Sequence, residues 1–304
     1  MMFKSVAELL DICSSEGKKI YEVMLDFEVK TSNISREMVV ERMQNNLSVM
    51  QRSVDKGLTG VKSTTGLTGG DAVKLEAYIR SGKGLSGDVT LDAITTAIAT
   101  NEVNAAMGVI CASPTAGSAG TVPGVLFSLE KKLGLNETNM VNFLFCAGAF
   151  GLITANRAFI SGAAGGCQAE IGTSSAMAAA AAVEVAGGTP EQSAHAFAIA
   201  LANMLGLVCD PVAGLVEVPC IKRNAAGASN ALIAADMALA GLKSEIPADE
   251  VIEAMYDVGC SMPAKFKETA EGGLAATKTA KEIEGRIFGN DSCSGCVHVA
   301  PSSD

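Results

Sequence analysis

The chain has 304 residues, 48% of them hydrophobic, which is enough for one large buried core or a core with a small appendage. A formal net charge of -10, with basic pairs only at Lys18-Lys19, Lys131-Lys132 and Lys222-Arg223, excludes a nucleic-acid surface, since phosphate contacts demand clustered Lys and Arg. The start, MMFKSVAELLDICSSEG, has charges inside its apolar stretch and no small-residue cleavage pattern, so it reads as an amphipathic helix of a cytoplasmic protein, whose nine cysteines then serve metal binding, catalysis or packing rather than disulfides.

Helical periodicity and capping signals dominate and alternating β-branched runs are scarce, so the expected fold is mainly α: a compact multi-helix catalytic domain with Gly/Ser-rich loops at helix termini. Ser5 with Glu8 forms a capping box for a first helix, and Ser35 caps a long amphipathic helix running to Gly57. Asp71 and Asp88 open two more. Thr189-Pro190-Glu191-Gln192 combines an N-cap, a first-turn proline and a reciprocal Gln, and Pro247 repeats the proline role. Gly57, Gly82, Gly108, Gly134, Gly187, Gly241 and Gly259 stand where helices should end. Three regions follow: a charged helical segment over 1–60, a helical core over 61–289 that is Ala- and Gly-rich from 90 to 242, and a Cys-containing tail over 290–304. Residues 138–156 and 192–209 are apolar and charge-free, long enough to raise the question of a membrane span. Their Asn, Thr and His residues and their Ala, Gly and Cys content predict closely packed buried helices instead, hence no membrane.

Two segments concentrate hydroxyls and glycines ahead of predicted helices. One is Ser63-Thr64-Thr65-Gly66-Leu67-Thr68-Gly69-Gly70, the other Ser113-Pro114-Thr115-Ala116-Gly117-Ser118-Ala119-Gly120. Glycines let a backbone approach a ligand, and hydroxyls with free helix N–H groups form a cradle for a carboxylate or phosphate. Neither segment fits the phosphate-loop or dinucleotide fingerprints, and a plain turn with an N-cap explains either loop alone. The candidate substrate-binding residues are Ser63, Thr64, Thr65, Ser113, Thr115 and Ser118.

Cys167, Cys209 and Cys220 sit in GGCQAE, LVCDPVAG and EVPCIKRN, each where Gly or Pro interrupts a helix. They are 42 and 11 residues apart, unlike a compact ferredoxin run, so spacing alone also allows three packing cysteines. The helix breaks favour thiolates converging on a metal, because broken helices expose N–H groups that can hydrogen-bond sulfur. Three thiolates on a 4Fe-4S cube would leave one iron open to act as a Lewis acid, the condition for a dehydratase. Cys13, Cys111, Cys146 and Cys260 read as packing residues. His195, among alanines in a helix, is a weaker candidate for a catalytic base, and Cys293, Cys296 and His298 form a zinc half-site or redox pair in the tail.

Taken together, SPTAGSAGTVPGVL, ISGAAGGCQAEIG, GLVCDPVAGLVEVPCIKRN and EGGLAATKTAKEI resemble the α chain of iron-sulfur-dependent L-serine dehydratase, also called L-serine ammonia-lyase. The resemblance covers nearly the whole chain. It implies a 4Fe-4S cluster on Cys167, Cys209 and Cys220, deamination of L-serine to pyruvate and ammonia, and no pyridoxal phosphate. Single-chain members carry an additional β-type domain with a Ser-His-Thr motif; this sequence has no equivalent of it, which implies a separate β chain in an αβ heteromer. Some members end in a cysteine that approaches the open iron, whereas this chain ends Pro-Ser-Ser-Asp. Rival readings are a related iron-sulfur lyase for L-cysteine or L-threonine, a pyridoxal-phosphate dehydratase, and a non-catalytic helical membrane or scaffold subunit.

Overall fold

The computed structural model of the protein describes residues 3–289, which form thirteen α-helices with no strand longer than an isolated bridge. The Cys293, Cys296 and His298 readings and the 290–304 tail lie outside the described residues. Three helices come first: α1 (Val6–Glu16), α2 (Ile20–Ser32) and α3 (Arg36–Gly57). Ser5 caps α1 by accepting from Glu8 N at 3.1 Å, while the Glu8 carboxylate takes Lys4 N, one residue earlier than a true capping box. Ser35 caps α3, which runs to Gly57 as expected; Gly57 lies so close to the Ala99 carbonyl that a Cβ there would stand 2.2 Å from it.

Next come α4 (Asp71–Arg80), α5 (Asp88–Ala105), α6 (Thr121–Leu133), α7 (Glu137–Arg157) and the short α8 (Gly162–Gly165). Asp71 and Asp88 are first-turn residues rather than caps; Gly70 and Gly87 occupy the cap positions with positive φ, and the acidic groups favour the positive helix end. The first N–H groups of α4 are accepted instead by the buried Glu102 side chain of α5, at 2.7 Å from Asp71 N and 3.4 Å from Ala72 N.

The centre is α9 (Thr173–Val185), whose TSSAMAAAAAVEV sequence is buried from Thr173 to Glu184. A helix apolar on every side is a core helix. Its alanines admit α7, α10 (Pro190–Ala202), α11 (Cys220–Leu239) and α6 at close range. Thr189 and Gln192 form the expected reciprocal box at the start of α10, with Pro190 as its first residue. The chain continues into α12 (Ala248–Ser261) and α13 (Lys278–Phe288). Gly259 lies inside α12, not after it, because its bare Cα lets Gly165 approach: a Cβ would sit 3.2 Å from the Gly165 Cα.

One hydrophobic core joins Leu9, Ile20, Met24 and Val54 of the first helices to Phe143, Phe150 and Phe197. Among the described residues α7 alone is long and apolar enough to cross a membrane, yet 67% of its most apolar window is buried in this core, against α9, α2 and α3. The second apolar stretch is interrupted after α10, a 13-residue helix too short to span.

Candidate metal centre

Cys167, Cys209 and Cys220 each sit at a break between helices. Cys167 follows Gly166, whose φ of +78° turns the chain out of α8, and precedes a π-helical turn, Gln168–Gly172, that merges into α9. Such insertions often mark functional positions. Cys209 lies in an extended segment held by a second strand of backbone: its N–H donates to the Phe266 carbonyl at 2.8 Å, and Glu268 N donates to its carbonyl at 3.0 Å. Cys220 is the first residue of α11 after Pro219. All three thiols are enclosed, with exposures of 1%, 2% and 7%.

The sulfurs of Cys167 and Cys209 and a carboxylate oxygen of Glu170 lie within 4.8 Å of one another. Arg223, one turn beyond Cys220, connects the segments. Its Nη1 stands 3.4 Å from the Cys167 sulfur and 2.7 Å from the Val208 carbonyl, and its Nη2 pairs with Asp210 at 2.7 Å. The Cys209 thiol donating to Cys167, together with the nearby Arg223 charge, lowers the Cys167 pKa against its burial. The same contact, then burial and the Cys167 charge, pushes the Cys209 thiol up. Burial, then the Cys167 charge, raises Cys220, whose sulfur is not among the atoms gathered within 4.8 Å.

Glu170, absent from the sequence-based candidates, projects from the π-helical turn. Burial raises its pKa, the Thr115 hydroxyl that donates to it opposes this, and the like charge of Glu268 adds to it. Gly162 faces the same point: a Cβ there would stand 2.7 Å from the Cys209 sulfur, 3.3 Å from a Glu170 oxygen and 3.4 Å from a Glu268 oxygen. Gly117 likewise lies against the Glu170 carboxylate, 2.5 Å from where its Cβ would be. Soft buried sulfurs on separate segments, a guanidinium donor to one of them and glycines where side chains would collide make an enclosed, thiol-rich donor set of the kind suited to iron-sulfur clusters or zinc.

Both hydroxyl-rich loops are fastened to cysteine-bearing segments. Thr65 and Thr68 donate to the buried Glu217, three residues before Cys220, at 2.8 and 2.6 Å. Asn224 of α11 accepts from Gly120 N and Thr121 N, both at 3.1 Å, and donates to the Gly117 and Cys220 carbonyls at 2.7 and 3.0 Å. Ser118 lies 3.1 Å from Thr115 and can donate to the Ser113 carbonyl at 3.2 Å. Ser113 itself has an unpartnered hydroxyl and borders an apolar cavity of about 320 Å³ between α3 and α7, with Met43, Met50, Leu144 and Met177 in its wall. Thr64 is exposed.

His195 is elsewhere. Its Nδ1 accepts from Ser244 N at 3.3 Å, beyond the far end of the 20-residue helix that starts at Cys220. A helix of that length spans about 30 Å. Of the cysteines read as packing residues, Cys13 and Cys146 are buried, Cys111 is half-buried at the cavity wall and Cys260 is exposed. Arg223 was accessible to sequence reasoning through its three-residue spacing from Cys220, which puts both on one helix face. Glu217 and Glu268 had no such local signal, because tertiary contacts define their roles.

Residues 15–275 match the family described as serine dehydratase alpha chain. The chain belongs to that family. It is 64% identical over 288 residues to the probable L-serine dehydratase, alpha chain, of Bacillus subtilis (strain 168), covering 95% of this chain and 96% of that protein. With the L-serine dehydratase, alpha chain, of Peptoniphilus asaccharolyticus it shares 44% identity over 283 residues, 93% and 97% of the two chains. L-serine dehydratase TdcG of Escherichia coli (strain K12) is 37% identical over 284 residues, but those cover 90% of this chain and 61% of the longer relative.

Proposed function

We propose that the protein is the cluster-bearing subunit of a cytoplasmic L-serine ammonia-lyase, converting L-serine to pyruvate and ammonia with a separate β chain. The observation that carries this is the meeting of Cys167 and Cys209 with Arg223 of the Cys220 helix, in a chain closely similar to proteins named L-serine dehydratase, alpha chain. Cys167, Cys209 and Cys220 would hold a 4Fe-4S cluster, which when bound supplies a Lewis-acid iron for the serine β-hydroxyl. In the overall reaction the Cα proton is removed and the β-hydroxyl leaves as water; the resulting aminoacrylate tautomerises and is hydrolysed to pyruvate and ammonia.

Within this chain, Glu170 is the carboxyl group brought to the cysteines, and its Oε atoms offer a place to hold a proton beside the reacting carbon. Thr115 orients that carboxyl through its hydroxyl, and Arg223 donates to the Cys167 sulfur. The loops at Ser63 and Ser113 supply the positioning groups for the substrate carboxylate. A pyridoxal-phosphate mechanism leaves the convergence of buried sulfurs without a purpose, and a lyase for L-threonine or L-cysteine differs only in how the side chain is accommodated.

The test is an anaerobic assay of pyruvate formation from L-serine, L-threonine and L-cysteine by the reconstituted chain with its β chain. L-Serine should be preferred, and Cys167→Ser, Cys209→Ser or Cys220→Ser should each abolish turnover while Cys13→Ser leaves it intact. Undiminished activity in the three site variants would remove the cysteines from the chemistry.

A further inference from the structure

The hydroxyl loop at Ser63 contains more hydroxyls than it can offer a substrate. A hydroxyl has one hydrogen and can accept twice, and an ionised carboxylate only accepts. The Thr65 hydrogen goes to one Glu217 oxygen at 2.8 Å, and the Thr68 hydrogen goes to the other at 2.6 Å. Thr65 Oγ1 also accepts from Leu67 N at 3.1 Å. With its own hydrogen spent, Thr65 must be the acceptor in its 3.1 Å contact with Ser63, so the Ser63 hydrogen is committed too. Ser63 Oγ in turn accepts from Thr68 N at 3.2 Å. Only Thr64, exposed at the turn, makes no intramolecular side-chain hydrogen bond among the described residues.

Glu217 anchors this network to the cysteine framework. It is 5% exposed, and its carbonyl accepts from Ile221 N at 3.1 Å in the first turn of the helix that begins with Cys220. A buried carboxylate that touches hydroxyls rather than a cation gains its stabilisation from those donors alone, so it holds them firmly.

We propose that Glu217 is a positioning residue that clamps residues 63–68 to the start of α11 and uses up the Ser63, Thr65 and Thr68 hydrogens, leaving Thr64 as the loop's donor to the substrate carboxylate. This rests on the L-serine reading above. It reassigns Ser63 and Thr65 from substrate ligands to scaffold and separates their roles from that of Thr64.

The experiment uses the chain reconstituted anaerobically with its β chain, and compares Glu217→Gln, Thr65→Val, Thr65→Ser, Thr64→Val and the Glu217→Gln/Thr65→Val pair. Loss of one hydrogen bond to a charged group corresponds to roughly tenfold or more in binding. Thr64→Val should raise the KM for L-serine by about that factor, with kcat and iron content unchanged. Glu217→Gln and Thr65→Val should raise KM similarly, their combination should be no worse than either alone, and Thr65→Ser should match the parent. Multiplying effects in the double variant, an unaffected Glu217→Gln enzyme, or loss of iron in that variant would each overturn the proposal. Amide hydrogen exchange at Leu67 and Thr68 gives a reading independent of turnover: faster exchange in Glu217→Gln supports the clamp and unchanged exchange refutes it. Should the parent enzyme fail to act on L-serine, the serine reading falls while the exchange measurement still decides the clamp.

Discussion

Arg223 donates to the Cys167 sulfur and pairs with Asp210, whose side chain is 4% exposed, so one side chain on the Cys220 helix touches the segments that carry the other two cysteines. Removing one partner of a buried ion pair leaves an uncompensated charge and costs about 3–5 kcal/mol. Arg223→Met should therefore lower the denaturation midpoint of the metal-free chain. Arg223→Lys should recover only part of the loss, because an ammonium cannot fork to Asp210, Val208 and Cys167 together. Glu170 gives a second prediction at this scale. Glu170→Gln keeps the shape and the Thr115 contact but removes the proton-accepting form, and should lower kcat by about 10² to 10⁴ at unchanged iron content. Thr115→Val should weaken turnover less, since it disturbs the orientation of Glu170 rather than deleting it. The chain breaks at Cys167, Cys209 and Cys220 were legible in the sequence because Gly or Pro marks each one. Glu170 was not, because its direction depends on the π-helical turn Gln168–Gly172, which no local pattern specifies. His195 illustrates the opposite limit: a helix pattern places it on α10 but does not say which end of α11 that part of α10 meets.

Among the elements, α4 depends on a group outside itself, since Glu102 of α5 accepts its first two N–H groups. Burial raises the Glu102 pKa from its ordinary value, against the lowering effect of those backbone donors. The native state thus favours the neutral form, and the cost of ionisation appears as pH rises from the ordinary carboxyl value through the raised one. Glu102→Gln retains an acceptor oxygen without the charge. Its urea midpoint relative to the parent should therefore improve as pH rises above the ordinary carboxyl value of about 4. A difference that stays constant as pH rises would contradict the burial argument. Local chemistry did announce most helix starts: Ser5, Ser35 and Thr189 all cap as their sequences require. Asp71 and Asp88 open α4 and α5 as read, with the Gly before each in the cap position and a distant carboxylate accepting the first N–H groups of α4.

For the molecule as a whole, the Ala-rich α9 is the axis on which the other helices close, inside the Ala- and Gly-rich stretch expected to be helical core. The cysteine segments and both hydroxyl loops gather where α9 and α11 begin, which joins parts of the chain more than a hundred residues apart, as Asn224 shows by bonding to Gly117. Residues this far apart in sequence carry no shared period or motif, so their assembly had to come from the structure. The aligned region spans 61% of the length of the Escherichia coli relative. Adding an equimolar β chain to the reconstituted protein should raise pyruvate formation severalfold or more, and a fully active isolated chain would contradict the need for a partner.

The central claim, a 4Fe-4S cluster on Cys167, Cys209 and Cys220, is tested most directly by measuring iron and acid-labile sulfide per chain after anaerobic reconstitution, for the parent and for Cys209→Ser. About four of each are expected in the parent and a marked loss in the variant. Binding of neither element by the parent, or equal content in both proteins, would contradict it.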